Sequence, residues 1–71
     1  MNKLKREILD VLDEKIGFVE GLEIEEKSET EFDVYLNDKL LESISITEKE
    51  TSNKESFTEY IINTSFFNEL K

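Results

Sequence analysis

Apolar residues recur along the chain with two different periods, and the change of period divides it. Over residues 3–16, Leu4, Ile8, Val11, Leu12 and Ile16 follow the i, i+3/i+4 spacing that lines one face of a helix. Leu9 stands at the margin of that stripe, and Lys3, Lys5, Arg6, Glu7, Asp10, Asp13 and Glu14 cover the rest. Gly17 follows directly, at the place where a left-handed residue closes a helix. From there the period falls to two. Phe18, Leu22 and Ile24 alternate with polar neighbours and predict a strand over 18–26, with Gly21 as a bulge or edge kink. Lys27-Ser28-Glu29 is a polar turn. Over 30–36, Phe32, Val34 and Leu36 face one way and Glu31, Asp33 and Tyr35 the other. Asn37-Asp38-Lys39 suits a hairpin loop, since Asn and Asp tolerate turn conformations. A third strand over 40–47 points Leu40, Ile44 and Ile46 inward. Glu42 shares their parity, so this strand either bulges or frays there.

Residues 48–55 contain no apolar side chain and read as a solvated loop. Ser56-Phe57-Thr58-Glu59 then matches the S-x-x-E capping box before an apolar run. A second helix over 56–70 places Phe57, Tyr60, Ile61, Thr64 and Phe67 on one side. Ile61, Ile62 and Thr64, with the polar Asn63 and Ser65, are weak helix formers, which leaves open a break near Asn63–Ser65 or a fourth strand. If the helix is continuous, Ile62 and Phe66 point away from the core stripe and, with Leu70, form a contact patch for self-association into a homodimer. If it breaks near Asn63, Phe66 turns back into the core.

The element order α-β-β-β-α predicts an α+β domain: a three-stranded antiparallel meander with two helices packed on one face and the other face open to water. The whole chain, 71 residues, has room for one domain and little volume for a deep cleft. Cys and His are absent, which removes disulfides, thiolate nucleophiles, imidazole bases and the usual zinc ligand sets. No P-loop, G-x-S-x-G or G-x-G-x-x-G pattern occurs, so the expectation is a non-enzyme. No EF-hand loop is present, and neither a metal nor a cofactor is expected. No apolar run approaches the roughly 20 residues that span a bilayer. The basic start Met1-Asn2-Lys3-Leu4-Lys5-Arg6 does not read as a secretory leader, because the stretch behind it is acidic and periodic.

Charge changes the picture most. The chain carries 18 acidic and 9 basic residues, a net charge of −9. Residues 1–16 balance four basic against four acidic groups. Residues 17–35 hold Glu20, Glu23, Glu25, Glu26, Glu29, Glu31 and Asp33 against the single Lys27, a net −6. If Leu22 and Ile24 face the helices, Glu23 and Glu25 face solvent, and Glu31 and Asp33 line the paired strand. Alternate strand residues lie roughly 6.6 Å apart on one face. Such a charge run is commonly just a solvated face. Its functional reading is an electrostatic surface that matches basic side chains built to bind phosphates. The candidate partner-binding residues are Glu20, Glu23, Glu25, Glu31, Asp33 and Tyr35. A chain so acidic repels nucleic acid itself, so the expected partner is a basic nucleic-acid-binding protein.

A small, Lys/Glu/Asn-rich, cysteine-free acidic chain in the order α-β-β-β-α resembles the phage-encoded host-defence inhibitors of low-GC Gram-positive bacteria. It is most similar to the acidic anti-CRISPR proteins that block the PAM-reading groove of a CRISPR effector nuclease. The resemblance covers element order and charge over the whole chain. It implies an inhibitor that mimics nucleic-acid phosphates in the cytoplasm of a bacterial host.

Overall fold

A computed structural model describes residues 3–47 and 51–71 of the chain. Residues 48–50 of the polar loop lie outside the described residues. The elements run α1 (Lys3–Lys15), β1 (Leu22–Glu26), β2 (Glu31–Leu36), β3 (Lys39–Ser45), α2 (Lys54–Ile62) and α3 (Ser65–Leu70). The strands form one antiparallel sheet in the order β1-β2-β3. This is the α+β arrangement expected from the pattern, with the C-terminal helical region split in two.

One sheet face is buried. Ile24, Phe32, Val34, Ile44 and Ile46 meet Ile8, Val11 and Leu12 of α1, and Phe57, Ile61, Phe66 and Phe67 of α2 and α3. The apolar stripe of α1 falls where its spacing predicts. Its end is closed by Gly17 at φ 84, whose N–H reaches back to the Leu12 carbonyl at 3.0 Å.

The first strand is shorter than its pattern. Gly17 and Gly21 both take φ 84, outside the extended region, so the chain turns between them and β1 begins only at Leu22. Phe18 is therefore not a core residue: it lies in this turn, 89% exposed. Gly21 is held to the far end of β2 by the Asn37 N–H donating to its carbonyl at 3.0 Å. A Cβ at this position would collide with the Asn37 side chain.

The two hairpins differ. Between β1 and β2, the Ser28 hydroxyl oxygen accepts from the Thr30 and Glu31 N–H groups at 3.3 and 3.1 Å. Between β2 and β3 the loop is only Asn37-Asp38, at φ 51 and 68, and Lys39 already pairs with Leu36. Positive φ at both central residues is what a type I′ turn demands.

The third strand bulges, one of the two outcomes its parity allowed. Val34 pairs with Glu42 and Tyr35 with Leu40, so Leu41 is the extra residue. Parity flips across it. Leu40 is consequently not inward: it sits beside Tyr35 on the open face, 49% exposed, and Leu41 packs against the core instead.

The C-terminal region corrects one expectation and decides between two alternatives left open. Asn53, not Ser56, caps α2: its side chain accepts from the Ser56 N–H at 2.7 Å, and the helix starts at Lys54. The chain also breaks at Asn63-Thr64. Thr64 is buried in an extended conformation, donates to the Ile61 carbonyl at 2.7 Å and accepts from the Phe67 N–H at 3.3 Å. The Glu42 carboxylate accepts from the Phe66 N–H at 2.9 Å. The break re-aims α3 so that the adjacent Phe66 and Phe67 are both buried, Phe66 completely. The contact patch of Ile62, Phe66 and Leu70 is thus not formed, for Phe66 is core and the other two pack partly against it.

Two stability measurements check this packing. Phe66→Ala should cost about 3–5 kcal/mol, enough to unfold most of a domain this size, whereas Phe18→Ala should stay within about 0.5 kcal/mol. Equal effects in chemical denaturation would contradict the assignment of both residues. Glu42→Ala removes the acceptor for a partly buried N–H and should cost about 1–2 kcal/mol. Glu42→Gln keeps an acceptor oxygen and should lose less than half as much.

Candidate functional site

The pairing that buries Ile24, Phe32, Val34 and Ile44 sends their neighbours to the opposite face. Glu23 lies across from Tyr35, and Tyr35 from Leu40; Glu25 lies across from Asp33, and Asp33 from Ser43; Glu31 lies across from Ser45. The open face thus carries four carboxylates from two strands, with an aromatic and an aliphatic side chain at one end. Neighbouring strands stand about 4.8 Å apart, and the backbone ladder fixes the spacing.

Glu25 directly opposite Asp33 is a repulsive pair in an antiparallel sheet. The chain answers it locally. Lys27 Nζ lies 3.0 Å from Glu25 Oε1 and 3.5 Å from Asp33 Oδ2. The Ser43 hydroxyl donates to Asp33 Oδ1 at 2.7 Å. Lys27 is held above the ordinary lysine pKa, first by its hydrogen bond to the Glu25 carboxylate and the charge of that group, with Asp33 and Tyr35 adding to the effect and partial desolvation opposing it. Glu31 is tied into the hairpin, its carboxylate accepting from the Ser28 hydroxyl at 3.1 Å. The carboxylates of Glu20, Glu23 and Glu26 make no hydrogen bond or ion pair with another described residue.

The six residues marked in the sequence therefore separate. Glu23, Glu25, Glu31, Asp33 and Tyr35 share the open face. Glu20 does not; it is exposed in the turn before β1. Pattern reading missed Lys27, Ser43 and Leu40. For Lys27 a signal existed: it is the one basic residue among 17–35 and stands two positions after Glu25, on the same side of an extended chain. Ser43 and Leu40 need the register and the bulge. Among the described residues no group of three or more acidic side chains is placed to hold a metal ion, and no helix is long and apolar enough to cross a membrane.

The role of Lys27 can be tested through its charge. A lysine whose pKa is raised by folding contributes stability that is fully present below the ordinary lysine value and is lost as pH rises through the raised one. Lys27→Met should therefore lower stability at neutral pH. The difference from the parent should shrink with added salt and close as pH rises above the lysine range. Adding Glu25→Gln to Lys27→Met should restore most of the loss. If it restores none, the repulsion between Glu25 and Asp33 is not what Lys27 relieves.

Compared with protein-family models, with curated proteins and with solved structures, the chain shows no match, and the open acidic face stands on its own geometry.

Proposed function

We propose that the protein is a non-enzymatic acidic binding protein whose open sheet face occupies the phosphate-binding groove of a basic nucleic-acid-handling protein, as a phage-type inhibitor of a CRISPR effector nuclease does. The observation that carries this reading is the placement of exposed Glu23, Glu25 and Glu31, with half-buried Asp33 among them, on the face of a hydrogen-bonded sheet that the helices do not cover. A groove built for a nucleic-acid backbone presents several Lys and Arg side chains at once. Carboxylates fixed on a sheet meet them with little ordering left to do, which favours both affinity and electrostatically steered association. Lys27 gives the face a defined resting state. An incoming Arg or Lys takes over the contacts of Lys27 with Glu25 and Asp33, and Glu23 offers a carboxylate with no internal partner to displace.

The test compares two sets of equal charge change. One is Glu23→Gln, Glu25→Gln, Glu31→Gln and Asp33→Asn on the sheet. The other is Glu7→Gln, Asp10→Asn, Asp13→Asn and Glu14→Gln on α1. Immobilised parent protein should retain basic nucleic-acid-binding proteins from a bacterial lysate and release them to short duplex DNA. The sheet set should abolish retention, the α1 set should preserve it, and retention should weaken as salt rises. Inhibition of target-duplex cleavage by a guide-loaded CRISPR effector nuclease separates that partner class from others. If both sets act alike, the effect is bulk charge. If DNA displaces nothing, phosphate mimicry is wrong.

A further inference from the structure

The free edge of β1 carries a second recognition surface, made of backbone. In an antiparallel pair, alternate residues direct their N–H and C=O groups to the partner strand. The bonds from the Lys27 N–H to the Glu31 carbonyl at 2.8 Å and from the Asn37 N–H to the Gly21 carbonyl at 3.0 Å fix which residues those are. Positions 21, 23, 25 and 27 face β2, so Leu22, Ile24 and Glu26 face outward. The Leu22 N–H closes the preceding turn by donating to the Val19 carbonyl at 3.4 Å. The Leu22 carbonyl and both backbone groups of Ile24 and Glu26 meet no partner among the described residues. The opposite edge differs, since on β3 the Ser45 carbonyl accepts from the Tyr60 hydroxyl at 2.9 Å and the strand is broken by its bulge.

The geometry points to β-strand addition at this edge by an extended segment of another protein that alternates basic and apolar residues. A strand hydrogen-bonded to Ile24 and Glu26 places its intervening residues opposite Glu23 and Glu25 on the open face, in the closer, non-hydrogen-bonded type of pair. Lys or Arg there meets two carboxylates, one of which has no internal partner. The alternate residues fall on the helix side, opposite buried Ile24 and exposed Glu26 and next to half-buried Leu22, where an apolar side chain fits against Ile24 and Leu22. A second copy of this chain is the wrong occupant. Antiparallel pairing of β1 with itself about Ile24 sets Glu23 of each copy against Glu25 of the other, and like charges directly opposite repel. This mode of binding uses backbone hydrogen bonds and so goes beyond charge matching by the open face; each can fail without the other.

The probe is a seven-residue peptide alternating Lys and Val, blocked at both ends, added to isotope-labelled protein. Amide resonances of Ile24 and Glu26 should shift most, and their hydrogen exchange should slow at least tenfold on saturation. The same peptide N-methylated at alternate positions keeps its charge and loses its donors, and it should bind at least tenfold more weakly. Glu26→Pro removes an outward N–H that the fold does not use, a position where edge strands accept proline, and should weaken the unmodified peptide by a similar factor. Glu23→Gln with Glu25→Gln should weaken it several-fold. Equal binding of the N-methylated peptide, or shifts centred on Glu31 and Asp33 with the β1 amides unmoved, would overturn strand addition and leave only electrostatic attraction. Sedimentation of the protein alone as a dimer through β1 would overturn the choice of occupant.

Discussion

The hydrogen bond from the Phe66 N–H to the Glu42 carboxylate joins the middle of β3 to the start of α3, and much else follows from it. Glu42 sits on the core-facing side of its strand, where an unpaired carboxylate would be costly. Capping a helix N-terminus gives it a donor and the favourable end of a helix dipole. The cap in turn holds the break at Asn63-Thr64, and the break lets two adjacent phenylalanines enter the core. Both lie in α3, about 100° apart around its axis; carried straight on from α2 at about 100° per residue, Phe66 would stand on the side opposite Phe57 and outside the core. In a chain of 71 residues with little apolar volume to spare, Phe66 is, with Phe32, among the largest fully buried side chains of the core.

Covering one sheet face uses nearly all the large apolar residues, and the other face is left to water. That division sets the electrostatics. Carboxylates are cheap on a wet face, yet the ladder forces Glu25 and Asp33 opposite one another. Lys27 and Ser43 relieve this pair within the face, so the first hairpin is less uniformly negative than its composition. What stays unmatched inside the protein lies toward β1: Glu23 on the face and Glu26 at the strand end.

The same side of the sheet holds its open backbone edge. Edge strands invite unwanted pairing, and proteins blunt them with short length and charge. β1 is five residues long and contains three glutamates, which guards it against a second copy of itself. The same charges select a cationic strand as the one that fits. Protection of the edge and the strand addition proposed for it would be two consequences of one arrangement.

The periods of the sequence by themselves determined α1, the three strands, both hairpins and the outward set Glu23, Glu25, Glu31 and Asp33. Each depends on interactions between residues near in sequence or on simple alternation. Even the bulge left a trace, because Glu42 interrupts the parity of Ile44 and Ile46. Tertiary structure decided the rest. Phe18 alternates correctly with Leu22, but two glycines at positive φ turn the chain between them and leave it outside. Leu40 was placed inward by a parity that the bulge reverses. Phe66 could lie inside or outside on its spacing alone, and a carboxylate 24 residues away resolves it. Lys27 reads as the single positive charge in an acidic run, two positions from Glu25, and only strand pairing brings Asp33 within its reach as well. Side-chain periodicity records which face a residue prefers; where the chain bends, and which distant group it then meets, is set by contacts the local pattern does not contain.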